Sequence, residues 1–350
     1  MGQSTSAGLA IAVLAFITIG FGVGAAGTSL LALVAARAEE DKRAGAATVV
    51  WLMMIAGIAI TAITVGKVLD PYSPLRLIEV TAVVGVLATL VTFMALWNLE
   101  GKTTSVRTER DAAASNFSGF RDAVVEVWAD QQARRFTIFV FVSMLAYSAQ
   151  DLILEPFAGL IFGLTPGQTT ELSGIQHSGV FAGMLLVGVL GSSSMRRGSL
   201  ATWSVFGCLA SGVALTGLSI SSMFGTSWPL SANVFALGFS NGAFAVAAIG
   251  SMMALAKNGR AKSEGIRMGV WGAAQGIAFG LGGFMGTVAV DVARGLSGSA
   301  VTAYSVAFFL EALLFVASAL LARGLMKKEM PSSDHWSAMG TIVGAQVNKG

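Results

Sequence analysis

Residues 136–164 read FTIFVFVSMLAYSAQDLILEPFAGLIFGL, an almost wholly apolar run interrupted by Gln150, Asp151 and Glu155. About 20 apolar residues suffice to cross a bilayer, so this run is predicted to be a membrane span. A carboxylate costs about 3 kcal/mol at the centre of such a helix unless it is paired, neutral or turned to a polar interior. Asp151 and Glu155 are four apart, which on one helix places both on one face with Gln150 beside it. Pro156 is predicted to end or kink the helix just after Glu155. Two readings follow. Either Glu155 is solvated at the outer interface and Asp151 is a buried structural hydrogen bonder, or the two carboxylates face a ligand or a partner.

Outward from this stretch the composition agrees. Of 350 residues, 54% are hydrophobic and only 12% charged, and mean hydropathy is +0.73. That excludes a soluble globular domain and predicts an all-α polytopic membrane protein. The 43 glycines suit close packing of membrane helices. Cys208 is the single cysteine, so neither a disulfide framework nor a cysteine metal site is expected. No Lys or Arg precedes the first apolar run, so that run reads as a span rather than a cleaved signal.

Nine runs have spanning length, near 6–36, 45–67, 74–98, 136–164, 170–194, 199–224, 229–256, 267–291 and 299–322. With the N-terminus outside and the C-terminus inside, the inner segments hold 19 of the 22 Lys and Arg, leaving Lys67, Arg76 and Arg294 outside. This bias supports both the helix count and the orientation. It also accounts for the basic loops without nucleic-acid binding. The expected organisation is a partial N-terminal bundle of three helices over 1–98, a cytoplasmic linker over 99–135, a six-helix bundle over 136–323 and a cytoplasmic tail over 324–350. Within the linker, Phe117 to Trp128 (FSGFRDAVVEVW) has the spacing of an amphipathic surface helix.

Little in the chain suggests an enzyme. It lacks a P-loop, and no metal-ligand cluster surrounds His177 or His335. His177 lies inside the fifth run. It is either a packing histidine bonded to a neighbour or a ligand for the open axial position of a chlorin magnesium. Glu311 is the most deeply placed carboxylate and is expected to face the bundle interior, paired or protonated. Asp291 with Arg294, and Arg76 with Glu79, are spaced as interfacial ion pairs. Gly272, Gly276 and Gly280 repeat every four residues and predict a flat groove. Its occupant is a neighbouring helix, a tetrapyrrole or a lipid tail.

Several segments, in this order and spacing, resemble the PucC/LhaA family, major-facilitator-like membrane proteins of phototrophic bacteria. They are RAEEDKR (37–43), SPLRLI (73–78), ALW (95–97), Gln150-Asp151 through Glu155-Pro156-Phe157, ALAKNGR (254–260), GVWGAAQ (269–275), and Tyr304 with Glu311. The resemblance covers about residues 10–325. It implies an assembly factor for light-harvesting antenna complexes, which binds or delivers bacteriochlorophyll to antenna polypeptides. It places the protein in the intracytoplasmic photosynthetic membrane. The implied partners are those polypeptides, the pigment and the lipid bilayer, with the reaction-centre core as a further one. Gln150, Asp151, Glu155 and Pro156 match one family motif; Trp271, Gly272 and Gln275 match another. With His177 these are the pigment- or partner-binding candidates, and Glu311 is the buried charge. The family pattern has about three further N-terminal helices, so the nine runs here correspond to its fourth to twelfth. Either the true start lies upstream, or this is a shortened member whose missing face a partner fills; in the second case a half-built first repeat would suit binding or assembly better than alternating access. The competing expectation is a proton-coupled secondary transporter of a tetrapyrrole or other hydrophobic small molecule.

Overall fold

A computed structural model describes residues 5–37, 43–97, 125, 127–192, 200–257 and 264–326. Ten α-helices form it: α1 (Thr5–Arg37), α2 (Arg43–Leu69), α3 (Pro74–Leu96), α4 (Gln131–Ala149), α5 (Leu154–Phe162), α6 (Pro166–Ser192), α7 (Leu200–Phe224), α8 (Leu230–Lys257), α9 (Glu264–Ser297) and α10 (Ala300–Met326). Among the described residues, eight helices are long and apolar enough to cross a membrane singly; α4 and α5, bent by 41° at their junction, reach that length only taken together. The chain is an all-α polytopic membrane protein. Most of the expected amphipathic helix at 117–128, the tail from 327, and parts of the RAEEDKR and ALAKNGR segments lie outside the described residues.

The helices start where local chemistry supplies caps. Ser73 accepts from Arg76 N at 3.1 Å, with Pro74 in the first turn of α3. Asp130 Oδ1 accepts from Gln132 N at 2.8 Å and Ala133 N at 3.3 Å at the head of α4. Its Oδ2 accepts from Arg267 of α9 at 2.8 Å. Burial raises the Asp130 pKa, but the two backbone donors and the Arg267 guanidinium outweigh it and hold the carboxyl below its ordinary 3.8.

Helices α4 to α10 share one core. A chain of rings crosses it: Trp271–Phe136 (4.9 Å), Phe136–Phe139 (5.8 Å), Phe139–Phe244 (6.1 Å) and Phe244–Phe315 (6.3 Å). These rings come from α9, α4, α8 and α10, so one aromatic stack ties four helices. The closest approaches use glycine. Gly179 and Gly183 of α6 lie against Phe235 and Phe239 backbone, and Gly238 and Gly242 of α8 lie against Gln176 and Val180 backbone. A Cβ at any of these four would strike main chain, which cannot yield as a side chain can.

Of the first three helices, α2 alone docks closely on this bundle. A Cβ on Gly66 would sit 2.6 Å from Gly167 O, and one on Gly174 would sit 2.8 Å from Ile63 N. Thr165 Oγ1 donates to Asp70 at 2.7 Å, and Lys67 faces Glu171 at 3.9 Å. Ile55 joins Val180, Met184, Val187, Ala243 and Val246 in a second apolar cluster. By contrast, α3 has no buried residue, and α1 and α3 turn Phe16, Phe21, Phe93 and Met94 outward.

Candidate functional site

The decisive stretch does not form one helix. α4 ends at Ala149, Gln150–Leu152 tighten into a 3₁₀ turn, and α5 begins at Leu154. Pro156 therefore sits in the first turn of α5, rather than ending a helix after Glu155 as its sequence position suggested. The physical reason is that a proline ring collides with the carbonyl four residues earlier, here Leu152, so the continuous helix fails upstream. In the first turn the missing N–H has no cost. The i, i+4 expectation for Asp151 and Glu155 fails with it. Asp151 is exposed on the 3₁₀ turn, whereas Glu155 is half-buried on α5.

The bend places polar groups where apolar packing would otherwise continue. Gln150 is fully buried, and neither its amide nitrogen nor its amide oxygen has a hydrogen-bond partner. Glu311 of α10 is 3% exposed, and neither carboxylate oxygen has one. The interior position expected for Glu311 is observed; a side-chain partner for it is not. Asp151 lies within electrostatic range of both Tyr147, one turn earlier, and Glu311. Asn241 of α8 adds a third orphan: its Oδ1 accepts from Ser211 at 2.7 Å, but its Nδ2 has no partner. A buried hydrogen-bonding group without a partner costs about 1–3 kcal/mol, and more when charged. The interior thus holds unmet donors and acceptors beside large apolar surfaces. That arrangement can orient a mostly hydrophobic molecule through a few polar atoms.

A second constellation links α5 to α6. Ser173 Oγ donates to Glu155 Oε1 at 2.6 Å, and the Ser173 carbonyl lies 2.8 Å from His177 Nδ1. The sequence reading missed Ser173. Its position four before His177 was the available signal, since a ring nitrogen at i reaches the carbonyl at i−4.

The remaining candidates divide. Trp271 is fully buried and donates from Nε1 to Thr137 Oγ1 at 3.0 Å. Its ring packs edge-on against Phe136. It packs in the α4–α9 seam. Gln275 is half-buried. Gly272, Gly276 and Gly280 do form a flat face, but a Cβ at any of them would meet nothing within 4 Å. The α9 glycines that grip a helix are Gly282, Gly283 and Gly286, against Leu145, Ser148, Ala149 and Leu152. Among the described residues, the expected Asp291–Arg294 and Arg76–Glu79 ion pairs do not form. Arg76 instead donates to the Pro71 carbonyl at 2.8 Å. No cluster of three or more His, Cys, Asp or Glu suited to a metal ion occurs among the described residues.

Fold and site together define a multi-pass helical membrane protein with an orphaned polar centre inside its bundle. The chain belongs to the PucC protein family, whose profile matches residues 1–330. It is 51% identical over 319 residues to the Bacteriochlorophyll synthase 44.5 kDa chain of Rhodobacter capsulatus, covering 91% of this chain and 72% of that one. It is 32% identical over 325 residues to an uncharacterized protein of the puhA-bchM intergenic region of Rhodobacter capsulatus, covering 90% and 66%. Protein PucC of the same organism is 27% identical over 330 residues, covering 92% and 69%. The chain thus spans roughly two thirds of the length of these relatives. No solved structure matches it.

Proposed function

We propose that this protein is an assembly factor for bacterial light-harvesting antenna. In this reading it holds bacteriochlorophyll or a precursor within the photosynthetic membrane and passes it to antenna polypeptides without chemical change. The observation that carries this is the pair of buried, unpartnered side chains Gln150 and Glu311 in an otherwise apolar bundle. A chlorin is a large apolar ring bearing carbonyl and ester oxygens at its rim. Gln150 can donate to such an oxygen, and a protonated Glu311 can do the same. Two orphaned groups would then gain partners, and the apolar faces would cover the ring. Family membership and the relatives' names, Protein PucC and a bacteriochlorophyll synthase chain, support the pigment context.

The test is complementation in a phototrophic host lacking the protein. A Gln150→Leu, Glu311→Leu double variant should reach the membrane at normal levels and restore little antenna absorption. Full antenna absorption from that variant would overturn the assignment of the site.

The buried carboxylate of Glu311, without a hydrogen-bond partner inside the bundle, favours one other reading, a proton-coupled transporter of a hydrophobic small molecule. Uptake into vesicles that requires a proton gradient and fails in Glu311→Gln would establish it; uptake indifferent to the gradient would remove it.

A further inference from the structure

The imidazole of His177 is held in one state by its own helix. A carbonyl can only accept, so the 2.8 Å contact between Nδ1 and the Ser173 oxygen requires the hydrogen to be on Nδ1. In the neutral ring this leaves the Nε2 lone pair free, and among the described residues the ring makes no other hydrogen bond. The carbonyl is main chain, fixed by α6 itself; the Ser173 hydroxyl separately donates to Glu155 Oε1 at 2.6 Å and ties this turn of α6 to α5. A histidine whose far nitrogen is anchored in this way, with its near nitrogen unused, has the arrangement of a metal-binding imidazole with its outer partners in place. The residue is half-buried.

What lies along the same side of α6 completes the picture. Thr170, Ser173 and His177 are at i, i+3 and i+7 and share one face. Thr170 forms part of the wall of an apolar groove of about 590 Å³ between α2, α3 and α6, lined also by Ile58, Ala62, Val65, Val80 and Val84. That volume is in the range of sites for small organic ligands. With only Thr61, Thr81 and Thr170 as polar residues, it suits a hydrocarbon chain. Among the described residues, no group of three or more His, Cys, Asp or Glu surrounds His177 to build a site for a free metal ion. One neutral nitrogen beside a hydrocarbon groove instead fits a metal already held by a macrocycle and short of one axial ligand.

We propose that His177 Nε2 is the axial ligand for the central metal of a tailed tetrapyrrole, with the Ser173 carbonyl orienting the ring through Nδ1 and the α2–α3–α6 groove as the seat of its hydrocarbon tail. This rests on the pigment-carrying reading above and assigns it a ligand atom.

The experiment titrates the purified full chain in mild detergent with a magnesium chlorin and, separately, with its metal-free counterpart. Absorption bands sensitive to axial coordination are read alongside affinity. The wild type should bind the magnesium form about tenfold or more tightly than the metal-free form and show the five-coordinate band. His177→Phe should abolish both the preference and the band while leaving metal-free binding unchanged, which also shows that the variant is folded. Added imidazole should restore the band in His177→Ala. Equal binding of the two forms by the wild type, or a five-coordinate band that survives in His177→Phe, overturns the ligand assignment while the carrier reading stands. Failure of the wild type to bind either form overturns both.

Discussion

Two glycine-lined helix faces in this protein meet different fates. On α6, Gly167 and Gly174 are pressed against α2, with Gly66 O only 2.6 Å from where a Gly167 Cβ would lie. On α9, Gly272, Gly276 and Gly280 have the same small-residue character and regular spacing, yet nothing lies within 4 Å of their would-be Cβ atoms. The difference shows that spacing specifies a surface a helix can approach, whereas an occupant requires further contacts. The α6 face has those in Thr165–Asp70, Lys67–Glu171 and the Ile55 cluster. The α9 face has exposed Ile277 and Phe284 around its glycines and is anchored to the bundle by its opposite side.

The largest expected effect breaks the occupied face. Gly167→Leu should cost about 3 kcal/mol, at the upper end for overpacking, because the obstacles are the Gly66 carbonyl and Asp70 backbone. The check is unfolding in mixed micelles, followed by cross-linking between α2 and α6, which should disappear. A smaller effect tests the anchored side of α9. Asp130→Ala removes a helix cap and leaves Arg267 unpaired, so it should cost about 1–2 kcal/mol. The Asp130 pKa is depressed on folding. Its contribution is therefore fully present above the unfolded value of 3.8 and is lost as pH falls through the lower folded value. Wild type and Asp130→Ala should thus converge in stability in strong acid and differ at neutral pH. The smallest effect falls on the open face: Gly276→Leu should change the stability of the isolated chain by no more than about 0.5 kcal/mol. A large loss there would mean that the α9 face is already filled.

The helices were legible because long apolar runs punctuated by basic loops leave few alternatives, and the bent pair, which begins at Gln131, still covers most of the run at 136–164. The position of the bend was not. Proline acts through the carbonyl four residues earlier, so Pro156 marks a break at Gln150–Ile153 rather than after Glu155. Glu311 could be placed in the interior from its depth alone. Trp271 could not be recognised as a packing residue, since its partner Thr137 is 134 positions away. The lack of a partner for Gln150 is likewise a property of what surrounds it, which no local pattern encodes. Asp130 was readable and overlooked: an aspartate directly before a helix is a standard cap.

The most direct measurement of the central claim is gentle purification from a phototrophic host, with the absorption spectrum and membrane level of wild type and of Gln150→Leu, Glu311→Leu read together. The account predicts that the wild type carries a bacteriochlorophyll or precursor. It predicts that the double variant reaches the membrane at normal levels and arrives pigment-free. A double variant that keeps the wild-type pigment ratio, or a wild type that carries none, would contradict it.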